Sequence, residues 1–582
     1  MTFLQRLRSL RTPALSFGAL SLGALASAPS ALADIIYVDA NLTTGLGDGT
    51  SWADAYQGVD GLSAALLTTV SGDMVFVADG RYRPTSGTAR AQSFNLQNGV
   101  ELYGGFSGGE ASLAERPAFG AAPSVLDGDL LGDDASNLFN DNSYHVVRTA
   151  GTNSTAVLDG FVVRGGNANG GGSSNDRGAG ILIIGGVSPT IRSCEFIANR
   201  CTFGGGAGYI NASAPRFTDC RFIDNIGGSF GGAFDIATAG SVRFDRCYFE
   251  GNSAARAGAL EIFATSGVIV TNSIFYDNLA TGGSAGGGLW IGSGGNTQLR
   301  NCTIVGNRAT GSSSGGGLAN SGGNPSVINC IFWDNSAAGG AQTSAAQVSA
   351  GTSVTYSIVE FGYTGAGNVA LDPQLTDVAT RDFSLLPTSP AIDAGNNSGV
   401  PAGIMGDFLG RRRMFDAPTV PDTGIGSAPV VDIGAHEYTT NIGAVFCSAN
   451  TNSSALVGRL DAVGSEALVD NDVTLVATSL PANSNGFFLT SRAQGFVANP
   501  GGSTGNLCLG GAIGRYVGPG QIQNSGAAGT FSLVLDVVAL PQPNGVVAAQ
   551  AGETWNFQAW YRDQVLGFPT SNFTDGASIT FR

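Results

Sequence analysis

A nine-residue pattern, apolar-x-x-Cys-x-Phe-x-x-Asn, recurs through the middle of this 582-residue chain and constrains its fold more than any other feature. Its copies run over 191–199, 217–225, 244–252, 270–278, 299–307 and 327–335, with Ser273 replacing Cys in the fourth and Ile304 replacing Phe in the fifth. The Cys/Ser positions, 194, 220, 247, 273, 302 and 330, are therefore 26, 27, 26, 29 and 28 residues apart. A unit this short cannot bury a core of its own, so successive units must stack into a solenoid. Function then lies on faces built from columns of equivalent residues.

Between the copies comes a second signal, Gly-Gly/Ala-x-Leu/Phe-x-Ile, at 178–183, 205–210, 231–236, 257–262, 286–291 and, ending in Asn320, 315–320. Each unit is thus expected to hold two short β segments joined by turns. The glycine-rich turn takes up the length variation, as turns do and ladders do not. The Asn column (199, 225, 252, 278, 307, 335) reads as an amide ladder, because Asn tolerates left-handed backbone and its amide can bond the copy above. Asp224, Asp277 and Asp334, each just before an Asn and alternating with Gly251 and Gly306, read as turn residues.

The first residues place Arg6, Arg8 and Arg11 before an apolar stretch at 14–26 and Ala31-Leu32-Ala33. That is the form of a signal peptide spanning 1–33, so the expected location is secreted or at the cell surface. No later stretch is apolar enough to span a bilayer. A net charge of −16, with every basic side chain an arginine, argues against nucleic acid as a partner. Five of the eight cysteines occupy the repeating position, where Ser273 shows that a small buried side chain suffices, so these read as mostly free thiols. Cys447 and Cys508 lie outside the repeats and are the disulfide candidates. After residue 441 the repeat gives way to alternation, as at 472–477, 530–537 and 554–561, which reads as a small β-sandwich.

The Phe-x-x-Asn signals at 196–199, 222–225, 249–252, 275–278 and 332–335, with Gly-Gly-Ala-Phe at 231–234, resemble repeats of the polymorphic outer-membrane protein family. This resemblance implies a right-handed parallel β-helix of the pectin-lyase-like type. Segments 37–39, 47–52, 72–80 and 102–106 resemble the N-terminal region of exported bacterial β-helix proteins. Ser-Pro-Ala-Ile-Asp-Ala-Gly at 389–395, Asp407 with Gly410 and Arg411 to Arg413, and Asp-Ile-Gly-Ala-His-Glu-Tyr at 432–438 resemble the closing segment of "choice-of-anchor" β-helix proteins. The expected organisation is an all-β chain. A β-helix fills 34–440, with a cap region at about 34–150, the clearest repeats at 160–360 and a closing segment at 361–440, and a sandwich fills 441–582.

The residue before the last apolar position of the glycine motif should point away from the core, since neighbours in a strand alternate faces. That column reads Leu182, Tyr209, Asp235, Glu261, Trp290 and Ala319. In-register stacking would set Asp235 and Glu261 ~4.8 Å apart at Cα, near the spacing of the paired acids of retaining glycosidases. Arg256 would serve as a neutralising partner or lyase base, and Tyr209 and Trp290 as platforms for sugar rings. The alternative is a solvated column of ordinary surface charge. No cofactor is required by these residues; Ca²⁺ is the ion the acid pair would take, and Asp393, Asp407 and Asp432 are a second candidate set beside the more ordinary reading of internal ion pairs with Arg411 to Arg413. His145 and His436 lie too far apart to share a metal. The expected function is a structural, adhesive or glycan-binding protein with a polysaccharide or cell-surface partner. The alternative is a pectate-lyase-like polysaccharide lyase or a glycoside hydrolase acting along the helix face.

Overall fold

The residue before each Cys/Ser of the repeat has a positive φ: Ser193 (48°), Asp219 (54°), Arg246 (50°), Asn272 (47°), Asn301 (52°) and Asn329 (59°). A left-handed residue inside an extended run turns the chain, so the nine-residue pattern is two strands meeting at a bend rather than one. Each coil therefore carries at least three strands, not the expected two, and several add a two-residue fourth such as Ser253–Ala254. The second bend falls on the residue before each Asn: Ala198, Asp224, Gly251, Asp277, Gly306 and Asp334 all have φ between 50° and 68°. Asp and Gly share that slot because both reach the left-handed region at low cost. The ladder asparagines themselves are not left-handed, which corrects the expectation that they would be.

The computed structural model describes residues 34–582 apart from 173, 264, 265, 284, 313, 314, 418 and 419. Residues 1–33, expected to form a signal peptide, lie outside the described residues. Three long parallel sheets stack along the solenoid, with short parallel ladders such as Ser253–Ala254, Leu279–Ala280 and Arg308–Ala309 beside them. Sheet one has twelve strands, from Tyr56–Gln57 through Arg243–Asp245 to Ser353–Thr355. Sheet two has ten, from Gly80–Tyr82 through Tyr248–Glu250 to Ile358–Val359, and sheet three has eight, from Phe94–Leu96 through Leu260–Ile262 to Leu318–Ser321. Each coil runs through sheet three, then one, then two.

Like side chains stack in the interior. Phe196, Phe222, Phe249 and Phe275 form a column with centroid spacings of 5.4, 4.9 and 4.5 Å. The Cys/Ser column is wholly buried, and Cys194, Cys201, Cys220, Cys247, Cys302 and Cys330 are free thiols. The Asn ladder runs from Asn199 to Asn335, each Nδ2 donating to the Oδ1 of the next Asn at 2.8–3.1 Å. Gly232 shows why the turns need glycine: a Cβ there would lie 2.1 Å from the carbonyl oxygen of Gly258 in the next coil. A short helix, Gly61–Leu66, packs Leu62, Ala65 and Leu66 into the core near the first coils.

Past the last coil the chain turns back along the side of the solenoid. The bend asparagines of the last coils hold it: Asn272 Nδ2 donates to the Gly406 carbonyl (3.1 Å), Asn301 Nδ2 to Asp432 (3.1 Å) and Asn329 Nδ2 to Asn396 (3.0 Å). The C-terminal part is antiparallel. A sheet of Ala444–Phe446, Phe568–Thr580, Thr554–Val565 and Asn485–Ser491 faces a second of Arg459–Gly464, Val473–Thr478 and Phe531–Leu535, across a core containing Leu460, Leu475, Phe488, Trp555 and Phe557. Cys447 and Cys508 are disulfide-bonded, with Cα atoms 6.2 Å apart. Arg412 ties the two parts together, reaching Asp461 at 2.7 Å and Asp575 at 2.9 Å.

Candidate functional site

The third sheet aligns the column in the expected register: Tyr209 opposite Asp235, Asp235 opposite Glu261, and Glu261 opposite Trp290. The column faces away from the apolar interior, which takes the flanking Phe234, Ile236, Leu260 and Ile262. It does not face water. Asp235 is 4% exposed and Glu261 2%, while Tyr209 and Trp290 are also buried. The solvated face is corrected by the glycine-rich turns, which fold back across the strands that follow them. A Cβ on Gly204 would lie 2.3 Å from Asp235 Oδ2, so the turn backbone rests directly on the carboxylate.

The turns add a second layer that the sequence reading missed. Phe203 and Phe230 pack edge to face at 4.6 Å. Arg177 lies over the rings of Phe203 (4.4 Å) and Tyr209 (4.8 Å), and Arg256 over Phe230 (4.3 Å) and Trp290 (4.6 Å). Arg256 Nη1 also donates to Glu261 Oε1 at 2.8 Å, while Glu261 Oε2 is buried with no hydrogen-bond partner. The signal for this layer was present as Arg177, Phe230 and Arg256, each immediately before its glycine motif, with Phe203 one residue earlier beside Gly204.

Burial dominates the electrostatics. Loss of water pushes the Glu261 carboxyl up to about 8, with the Asp235 charge adding to the rise and Arg256 opposing it. Asp235 is pushed up to about 6 by burial, with Arg177 and Arg256 opposing. At neutral pH the pair therefore carries close to one negative charge, which Arg256 offsets. The pair makes a poor Ca²⁺ site: Ca²⁺ takes six to eight oxygens, two carboxylates offer at most four, and Arg256 already holds Glu261 Oε1.

The remaining acids of interest separate into two kinds. Asp407 accepts from the backbone N–H of Leu409, Arg411 and Glu437, and Asp432 from those of Asp393 and Tyr438, so both hold turns rather than an ion. Arg413, 1% exposed, forms a 2.7 Å ion pair with Glu437 and donates to four backbone carbonyls. Asp393 stands apart, with Asp416 and Asp422. Another group, Asp129, Asp133 and Asp134, already turns the Asp129 carboxylate onto three backbone N–H groups and Arg81. His145 and His436 are both buried, which pushes them down to about 4 and about 3.

One open concavity lies where solenoid and sandwich meet. This cleft of about 930 Å³ is lined by Arg116 and Phe119 on one side and Arg492, Gln494, Glu553 and Asn556 on the other. Phe119 is 45% exposed.

A family described as right handed beta helix region matches residues 130–283 and 236–366. Among solved structures, pectate lyase Pel9A aligns at 15% identity with a TM-score of 0.40, over 71% of this chain and 98% of that one. The enzymatically active domain of bacteriophage CBA120 tailspike protein 2 aligns at 12% identity with a TM-score of 0.22, over 93% of this chain and 76% of that one. No curated protein matches the chain. The family match falls on the coils whose three sheets stack in parallel register, and the chain is a right-handed parallel β-helix followed by an antiparallel β-sandwich.

Proposed function

We propose that this chain is an exported or cell-surface structural protein, a rigid non-catalytic β-helix that binds a glycan in the cleft between solenoid and sandwich. The observation that carries this reading is the burial of the acid pair. A site that cleaves a polysaccharide must present its acids in a groove the substrate can enter. Asp235 and Glu261 instead lie beneath the glycine turns, with Arg256 held by Glu261 and two aromatic rings. The pair and its arginine act as an internal clamp between neighbouring coils.

The cleft supports the binding half of the proposal. Arg116, Arg492, Gln494, Glu553 and Asn556 supply donors and acceptors suited to sugar hydroxyls, and the exposed ring of Phe119 supplies an apolar face. Surface location rests on the leader-like segment at 1–33 and on the resemblance of the repeats and closing segment to exported β-helix proteins. The test is a screen of the mature protein on polygalacturonate, alginate and neutral glycans, with and without Ca²⁺. The expected result is binding without turnover, weakened about tenfold or more by Phe119→Ala/Gln494→Ala and unchanged by Asp235→Asn/Glu261→Gln. Unsaturated or reducing-end product that disappears in Asp235→Asn/Glu261→Gln would overturn it in favour of a lyase or hydrolase.

A further inference from the structure

Asp393 is the one carboxylate of the closing segment's three buried aspartates that the fold leaves short of partners. Its side chain is fully buried, yet Oδ1 accepts no hydrogen bond, and Oδ2 has only a long contact (3.4 Å) from the Ala417 N–H. Asp407 and Asp432, equally buried, each satisfy both oxygens with backbone N–H groups. A buried carboxylate oxygen without a partner is expensive and calls for a compensating charge.

No described residue supplies such a charge. Arg413 is committed to Glu437, Asn272 and the carbonyls around it. What faces Asp393 is more negative charge: one carboxylate oxygen from each of Asp393, Asp416 and Asp422 lies within 4.8 Å of the other two. Burial and these two neighbours together push Asp393 up to about 6.

The backbone at the site is built rather than incidental. Asp393 sits at φ 50°, a left-handed conformation that costs a non-glycine residue energy. Its carbonyl accepts from both the Thr423 and Gly424 N–H groups, at 2.9 and 3.0 Å, which brings the chain bearing Asp422 back over it. The Ala417 N–H, next to Asp416, reaches the Asp393 side chain instead, at Oδ2.

We propose that Asp393, Asp416 and Asp422 form a Ca²⁺ site that fastens the closing segment. The size of the group selects the ion. Oxygens bound to one cation at 2.3–2.6 Å can be at most about 5 Å apart, so three oxygens within 4.8 Å of one another fit around a single Ca²⁺. Mg²⁺, at about 2.1 Å, would force the group to contract to about 4.2 Å or less. Asp416 and Asp422 are exposed, which leaves the outer face of the ion open to water as further ligands. Asp393 is the internal anchor and the other two close from outside.

The test uses the full mature chain. Thermal unfolding is followed in EDTA and in 1 mM CaCl₂, alongside Tb³⁺ luminescence titration, for the wild type and for Asp422→Asn, Asp416→Asn, Asp393→Asn and Asp133→Asn. Ca²⁺ is expected to raise the wild-type Tm by several degrees, and Asp422→Asn or Asp416→Asn to weaken binding about tenfold or more. Asp393→Asn should abolish the Ca²⁺ response while unfolding in EDTA no earlier than the wild type, since it removes an unpaired buried charge. Asp133→Asn should leave the response intact. No Ca²⁺-dependent shift in the wild type would overturn the proposal. So would a response that survives Asp422→Asn and Asp416→Asn, or one that is lost in Asp133→Asn. The two exposed substitutions carry the test if Asp393→Asn fails to fold.

Discussion

Glu261→Gln should make the solenoid more stable at alkaline pH while leaving it little changed at acid pH. The carboxyl is raised from an ordinary 4.5 to about 8. At about 1.4 kcal/mol per pH unit, ionising it inside the fold costs on the order of 5 kcal/mol. The sign follows from proton binding: between 4.5 and 8 the folded state holds a proton that the unfolded state has released. The stability associated with Glu261 is therefore complete below pH 4.5 and falls as pH rises through 8. Over pH 5 to 8 the wild type should lose roughly 4 kcal/mol that the glutamine variant keeps. Urea unfolding of both proteins at half-unit pH steps reads this directly. Because Asp393 and Asp432, also raised, are common to both proteins, their contributions cancel in the difference. Asp235→Asn should move the remaining slope to lower pH, because the Asp235 charge is part of what raises Glu261. Parallel pH profiles for wild type and Glu261→Gln would refute the reasoning, since they would mean that the carboxyl is as well solvated in the fold as in the open chain.

Asn252→Ala removes four buried hydrogen bonds, to Phe222 O, to Asn278 Oδ1 and from both nitrogens of Asn225, and should cost about 4 kcal/mol in urea unfolding, whereas Asn211→Ala, on a partly exposed face, should cost under ~1. Arg413→Met leaves the buried Glu437 without its cation and should destabilise by about 3–5 kcal/mol, seen as early proteolysis of the closing segment. The six free cysteines are all buried, and burial pushes Cys201 up to about 12, so a maleimide should modify none of them in the native protein and all of them after unfolding.

Much of the solenoid was legible in the sequence because a stacked repeat prints its core as columns. The spacing of Cys194, Cys220 and Cys247 set the coil length, and the alternation around Ile236 and Ile262 set the register that pairs Asp235 with Glu261. Two things escaped. The bend inside the nine-residue pattern falls on Ser193, Asp219, Arg246 and Asn272, residue types too varied to read as a turn in one sequence, although three asparagines at 272, 301 and 329 mark where the closing segment docks. The burial of the acid pair depends on where the glycine turns fold, and glycines carry no side-chain pattern to show it. Alternation correctly took Asp235 off the core face, but leaving the core is not the same as reaching water.

The asparagine ladder has a direction. Along the ladder from Asn199 to Asn335 each side-chain amide gives one hydrogen to the amide oxygen of the next coil and the other to a backbone carbonyl of the preceding coil, so the amide-to-amide bonds all run one way and their dipoles add along the axis, a side-chain counterpart of the helix macrodipole. Such a line has a positive end, and here that end is occupied. Asn335 donates to Gln347 Oε1, and Gln347 Nε2 donates in turn to the Glu360 carboxylate. The glutamine replaces one more asparagine with a longer arm that reaches an anion. A further coil could join only by displacing that anion and offering an acceptor of its own, so the polarity of a row of neutral side chains sets where the stack of coils stops.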